Sequence, residues 1–295
     1  MLCPTAVPLR LVHGDARHLD PIGTSSIHLV VTSPPYPMIP QWDELFARFG
    51  ATKFTEMHSV LADAWRECQR VLVPGGILAI NIGDALRAGP GGFQLWPNHA
   101  ETLAAASRLG FVPLPYILWK KPTNKPNAFL GSGFLPPNAY VTLDCEFILL
   151  FRKGSLRSFP PHDPARARSR FLRSDRDHWF SQVWSDIRGA SQVSRRGRSG
   201  AFPPEVPERL VRMFSVMGDT VLDPFAGTGT TLWAALACGR NAIGVEWDPV
   251  AFEELRASAV SRGLLPPAEK VSRRAARGGR SPPRRPGGGN AGPTG

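Results

Sequence analysis

The sequence predicts an α/β protein: a largely parallel sheet with helices on both faces and a small basic insertion. Three observations lead there. An almost unbroken apolar run, Ile27 to Val31, passes directly into TSPPY at 32–36, the pattern of a strand covered on both faces. The segment TVLDPFAGTGTT at 220–231, a helical stretch and then NAIGVE at 241–246 read as a β-turn-α-β unit. Between these motifs, from about 152 to 200, apolar periodicity fades and Arg, Ser and Pro take over.

The elements follow in order. LRLVHGD at 9–15 reads as a short strand ending in a turn, and SIHLVVTSPPY at 26–36 as a second strand. A helix is expected over about 56–72, where Val60, Leu61, Ala64, Trp65, Cys68, Val71 and Leu72 keep three- and four-residue spacing, and Pro74-Gly75-Gly76 stops it. ILAINI at 77–82 is the next strand. Another helix fits 98–109, closed by Gly110. The β-rich runs Tyr116 to Trp119 and Glu146 to Phe151 suit pairing at one edge. The stretch from 152 reads as an insertion outside the sheet. Helical spacing returns from 204 with Val206, Leu210, Phe214 and Met217, and the helix after the glycine turn runs over 229–238 to Gly239. The tail 266–295 has almost no large apolar side chains, so it is expected to stay disordered.

At 295 residues and 42% apolar, the chain is long enough for one sizeable core plus the insertion. Its formal net charge is +11, and the placement of that charge says more than its size. Residues 152–198 carry twelve basic against four acidic side chains, and 266–295 carry seven against one, which leaves the rest slightly acidic. Basic appendages on an ordinary domain are what a phosphate backbone attracts. Cys3, Cys68, Cys145 and Cys238 are scattered and never join the seven histidines at metal-ligand spacing, so no metal site is expected. No apolar run approaches the roughly 18 residues that span a bilayer, and no signal-peptide pattern opens the chain; a cytoplasmic protein without membrane contact is expected.

The two loops carry the chemistry. In DPFAGTGTT, Gly227 and Gly229 permit positive φ and close backbone approach, and the helix that starts there points free N–H groups at whatever fills the turn. Glu246 closes the following strand, where an acid hydrogen-bonds a ribose diol in nucleotide-binding α/β folds. A phosphate-gripping loop is the nearest competitor, but GTGTT lacks the Lys-Ser/Thr pair, and Asp223 and Glu246 would repel a triphosphate. Ser33-Pro34-Pro35-Tyr36 should project from the carboxyl edge of the sheet. Two prolines stiffen it and remove two donors, leaving carbonyls and the Ser33 hydroxyl as acceptors. Acceptors suit an exocyclic ring amine, a poor nucleophile until its N–H bonds are engaged, and Tyr36 is placed to stack on such a ring. Each loop alone is also a plain tight turn; it is their pairing that favours a site.

Taken in order, HGDAR, TSPPY, RECQRVLVPGGILAINIGD, ILWKKP, CEFILLFRKG and FPPEVPERLVRMFSVMGDTVLDPFAGTGTTLWAALACGRNAIGVEWDP resemble the bacterial DNA amino-methyltransferases that modify cytosine N4 or adenine N6. The order of catalytic motif, insertion and cofactor motif is similar to the β group, so the resemblance implies a circularly permuted Rossmann-like sheet, S-adenosyl-L-methionine as donor, and base flipping. By position it makes Ser33, Pro34, Pro35 and Tyr36 catalytic. It places Asp15, Thr32, Asp223, Phe225, Ala226, Gly227, Gly229, Thr230, Glu246 and Trp247 around the cofactor. Phe202 and Pro203 join them, although the His-Pro that usually precedes such a pair is missing here. The resemblance divides the chain into a catalytic part (1–151), a target-recognition insertion (152–200), a cofactor part (201–265) and the tail. Lys120, Lys121, Arg166, Arg168, Arg170, Arg173, Arg195, Arg196 and Arg198 are the expected contacts to double-stranded DNA. It also implies a homodimer, a nucleoid-associated bacterial setting and a cognate restriction endonuclease as partner.

Ser at position 33 is typical of cytosine-N4 members, though some adenine-N6 enzymes share it. No cysteine follows a proline, which sets aside the 5-methylcytosine class. A catalytically silent DNA-binding protein is the rival from another class, since a basic run suits any nucleic-acid binder. RNA as substrate is disfavoured because no RNA-binding module signature appears.

Overall fold

The computed structural model describes residues 9–89, 92–121, 141–189 and 202–266, with Gly292 and Gly295. The tail beyond 266 and its expected disorder otherwise lie outside the described residues. The chain opens with β1 (Leu9–His13), β2 (Ile27–Thr32), α1 (Asp43–Arg48), α2 (Phe54–Val71) and β3 (Leu72–Ile82). A hairpin of β4 (Ala85–Gly89) and β5 (Gly92–Trp96) precedes α3 (Asn98–Arg108), β6 (Phe111–Pro113), β7 (Ile117–Lys120) and β8 (Cys145–Lys153). The expected insertion holds α4 (Pro164–Arg168), α5 (Arg173–Trp179) and β9 (Val183–Trp184). Then come α6 (Glu205–Phe214), β10 (Thr220–Asp223), α7 (Thr230–Ala237), β11 (Asn241–Glu246) and α8 (Pro249–Ser261).

One large sheet runs in the order β1-β11-β10-β2-β3-β8-β7-β9, with β6 also on β8. Its first five strands are mutually parallel. β8 is antiparallel to β3 and β7, so the two β-rich runs do pair, as a mixed extension of the sheet. Each face is apolar and helix-covered. Leu61, Trp65 and Cys68 of α2 join Leu78, Ile80 and Ile82 on one side, while Val206, Leu210 and Leu232 from α6 and α7 join Val31, Ala79 and Ile148 on the other. Burial of both faces explains why β2 and the inner half of β3 read as continuous apolar runs.

The insertion departs from expectation in one respect. Val183 and Trp184 pair in parallel with Leu118 and Trp119, so part of it belongs to the sheet. The reason is packing: β7 would otherwise leave an open edge, and Trp184 and Ile187 are almost wholly buried against Trp119, whose indole N–H donates to the Ile187 carbonyl at 3.0 Å. A two-residue strand is too short for any periodicity to announce it.

The carboxyl edge of the sheet collects the ends of β1, β11, β10, β2, β3 and β7 and the start of β8. The 33–36 loop, the turn after β10 and Glu246 at the end of β11 therefore share one rim. Close helix packing behind that rim requires Gly244 of β11, where an added Cβ would lie 2.5 Å from Leu232 Cδ1 and 3.1 Å from Ala226 Cβ. Gly244→Ala is expected to cost about 1–3 kcal/mol by overpacking, lowering the melting temperature by roughly 5 °C. Calorimetry showing an unchanged melting temperature would contradict this packing.

Candidate active site

Two hydrogen bonds stitch the loop after β2 to the turn after β10. The Thr32 hydroxyl donates to Asp223 Oδ1 at 2.7 Å, joining residues 191 positions apart, and the Thr231 hydroxyl donates to the Val31 carbonyl at 3.3 Å. Thr32, Asp223 and Thr231 are all buried. Asp223 also accepts from the Phe225 N–H at 3.1 Å, so it fastens its own turn as well as its neighbour. Burial pushes its carboxyl up to about 6, against the lowering effect of the Thr32 bond.

The turn itself is open. Gly227 and Gly229 have φ of +48° and +83°, the left-handed conformation that glycine adopts without cost. A methyl group placed on Gly227 would meet nothing nearer than 3.9 Å, so this face of the turn has room for a ligand, whereas one on Gly229 would collide with Leu255 and Trp233. Glu246 accepts from the Gly227 N–H and the Asp248 N–H, both at 2.9 Å, and keeps lone pairs for a further donor. Phe225 is part-buried near Trp65, Ala226 is buried, and the Thr230 hydroxyl lies 3.3 Å from that of Thr228. Beside the turn, Asp15 holds Arg17 through both carboxylate oxygens, Arg17 lies over Phe49, and Phe49 meets Trp247. Phe202 and Pro203 are buried where the chain enters α6. The residues expected around a cofactor thus flank one rim, with Asp223 turned inward as a fastener and Asp15 engaged by Arg17.

The Ser33-Pro34-Pro35-Tyr36 loop leaves β2 at that rim. Its Tyr36 hydroxyl lies 3.0 Å from Ser33 Oγ, accepts from Asn81 Nδ2 at 2.8 Å and donates to Glu146 Oε2 at 3.1 Å. Asn81 also donates to Glu146 at 2.7 Å, and Lys121 bonds the other carboxylate oxygen. Desolvation and the Glu146 charge raise the Tyr36 phenol well above its ordinary value, so it is neutral at physiological pH. Asn98, fully buried at the start of α3, donates to the carbonyls of Pro37 and Gly83, both at 2.9 Å, and faces His58 Nε2 at 3.1 Å. Met38, in the left-handed region at φ +63°, is held by Arg87, which bonds its carbonyl and Asp43.

Sequence reasoning missed Asn81, Glu146 and Asn98. Asn81 carried a signal, as the lone polar side chain of the apolar strand β3, whereas Glu146 read as the polar start of a strand. Nothing in the sequence marks Asn98, whose partners come from two distant loops. The basic residues divide. Lys120 and Lys121 reach the rim, but Lys120 pairs with Asp144 and Lys121 with Glu146. Arg166, Arg168 and Arg170 line adjoining cavities of about 310 and 760 Å³ with Arg212. There the Met217 N–H donates to Ser169 Oγ at 2.7 Å, just ahead of β10, so these arginines sit at the amino edge, away from the 33–36 loop. Arg173 is exposed on α5 and pairs with Asp177. Arg195, Arg196 and Arg198 lie outside the described residues. Among the described residues no helix is long and apolar enough to cross a membrane.

The DNA methylase family model matches residues 27–256, which takes in both loops. The chain belongs to that family. It is 53% identical over 264 residues to the Type II methyltransferase M.MjaI of Methanocaldococcus jannaschii, covering 81% of this chain and 87% of that one. It is 43% identical to M.MthZI of Methanothermobacter thermautotrophicus, covering 90% and 80%. Among solved structures, TTHA0409 of Thermus thermophilus, a putative DNA modification methylase complexed with S-adenosyl-L-methionine, superposes with a TM-score of 0.69 at 38% identity, over 88% of this chain and 96% of that one. The cytosine-N4-specific PvuII DNA methyltransferase shares the fold at a TM-score of 0.63 and 20% identity. The methylase is thus a DNA amino-methyltransferase by family.

The buried Asp223 has a measurable consequence. Its folded-state value lies above the ordinary 3.8, so the folded protein binds more protons than the unfolded chain between about pH 4 and 6. Its contribution to stability is present below that window and lost as pH rises through it. Denaturant unfolding from pH 4 to 7 is expected to show this fall in the wild type, with the slope reduced in Asp223→Asn; equal slopes would contradict the assignment.

Proposed function

We propose that the protein methylates the exocyclic N4 of a cytosine flipped out of duplex DNA, with S-adenosyl-L-methionine as donor. The observation that carries this reading is the Thr32–Asp223 bond, which fixes an acceptor-rich loop beside a glycine turn that has room for a nucleoside ligand. When bound, S-adenosyl-L-methionine supplies an electrophilic methyl group. The 225–230 turn, Glu246 and the Asp15–Trp247 side of the rim hold it. Ser33 and the loop carbonyls accept the N–H bonds of the target amine, which makes its nitrogen a better nucleophile, and the stiff Pro34-Pro35 segment fixes the line of attack. The Tyr36 ring lines the base pocket with its hydroxyl anchored. Extruding the base removes it from its stack and from water.

Cytosine is preferred over adenine because of Ser33 and the resemblance it belongs to; both amines offer the same donors, so adenine N6 stands as the second reading. Chain order, with the acceptor-loop strand preceding the cofactor strand beside it in the sheet, supports the circularly permuted arrangement. For DNA contact, the rim near Lys120 is better placed than the amino-edge arginines. A cognate restriction endonuclease and a dimeric state belong to the same reading.

The test is to incubate duplex DNA with enzyme and labelled donor, digest it to nucleosides and identify the product. N4-methylcytosine is expected, and N6-methyladenine alone would replace cytosine with adenine. Ser33→Ala is expected to lower the transfer rate about 100-fold or more while DNA binding stays measurable; wild-type protein that binds DNA and transfers nothing would favour the silent binder.

A further inference from the structure

The Tyr36 cluster does more than hold a ring. Glu146 comes from β8, Asn81 from β3, Lys121 from the end of β7 and Tyr36 from the loop after β2, so four segments of the chain meet on one carboxylate. A hydroxyl chain leads into it: Ser33 Oγ, 3.0 Å to Tyr36 OH, then 3.1 Å to Glu146 Oε2. Asn81 Nδ2 touches both the phenol and the carboxylate, and its buried Oδ1 meets no donor among the described residues. A positioning device for an aromatic ring needs no charge, yet this one places a carboxylate at its end and a lysine behind that.

We propose that Glu146 is the terminal proton acceptor of the methyl-transfer site, reached from Ser33 through the Tyr36 hydroxyl. This rests on the amino-methylation reading above. When the amine nitrogen bonds the methyl carbon, the carbon–sulfur pair leaves with sulfur and the nitrogen becomes a cationic, strongly acidic ammonium. Its N–H proton passes to Ser33 Oγ as the Ser33 hydroxyl proton passes to Tyr36 and the Tyr36 proton passes to Glu146. The products are a neutral methylated amine, unchanged hydroxyls and a Glu146 carboxylic acid, which returns its proton to water when the site reopens. Tyr36 suits this role as a neutral phenol that both accepts and donates. Lys121 bonds the second carboxylate oxygen of Glu146. In this account Glu146 acts through Ser33 and Tyr36 and touches no reacting atom.

Among the described residues, the charged and titratable groups facing Glu146 are Lys121, just after β7, and Tyr36 from the catalytic loop. The Lys120–Asp144 pair and Cys145 lie alongside, and the Asp84–His99 pair stands behind Phe147, on which His99 stacks at 3.9 Å.

Glu146→Gln keeps the shape and hydrogen-bonding capacity but accepts no proton. In single turnovers with duplex DNA, E146Q is expected to be slower by roughly 10- to 100-fold, with donor and DNA affinities within about twofold of wild type. In the protein without donor or DNA, carbon-13 labelling of the three tyrosines should show the Tyr36 phenol titrating at lower pH in E146Q, because the neighbouring negative charge is gone. Wild-type-like rates in E146Q would overturn the relay, as would an unmoved Tyr36 titration. Should E146Q fail to fold, Tyr36→Phe breaks the same chain without removing the carboxylate and should show the same loss in rate; wild-type rates in Y36F would overturn the proposal. Wild-type enzyme that labels no DNA would instead refute the function, while the tyrosine titration still reports on the hydroxyl–carboxylate link.

Discussion

The site depends on one buried hydrogen bond, from the Thr32 hydroxyl to the Asp223 carboxylate. It is possible because β10 lies directly beside β2, parallel, with Leu222 opposite Val30. Two loops far apart in sequence therefore leave the sheet at adjacent points and in the same direction. Burying a carboxylate there is costly, as its raised proton affinity shows, and the partners that offset the cost are the Thr32 hydroxyl and the Phe225 N–H. The acid that looked like a ligand contact in the sequence is the fastener between the loops.

The rest of the rim follows a similar division of labour. Apolar side chains of the two faces hold the sheet rigid, and polar groups gather only where strands end. Asn81 and Glu146 sit at those ends and join in a network whose other members come from separate loops. Groups held by several segments lose little freedom when a substrate arrives, which is how orientation at a reacting centre is obtained before binding. Asn98 extends the same logic behind the loop, clamping the Pro37 and Gly83 carbonyls from a third element.

Much of this was legible in the sequence. The strands around TSPPY and DPFAGTGTT, the helices over 54–71 and 98–108 and the final β-turn-α-β unit were signalled by apolar periodicity and glycine punctuation, which are local. Family membership was legible because its motifs are contiguous strings. What escaped was nonlocal. Val183–Trp184 joins the sheet because Trp184 fills space beside Trp119, and no pattern two residues long can say so. The arginines of 166–170 read as a DNA-facing run, yet Ser169 ties that segment to Met217 at the opposite edge. Charge was visible in the sequence; its direction was set by a tertiary contact. Glu146 looked like the polar start of a strand until the fold brought Tyr36 to it.

The most direct test is a double-mutant cycle on Thr32→Val and Asp223→Ala, read as the single-turnover rate of methyl transfer to duplex DNA. If one bond holds the two loops in register, either substitution alone breaks it, and the second should add little to the loss caused by the first. Losses that multiply independently would show that the loops are not joined by this bond, and would contradict the account.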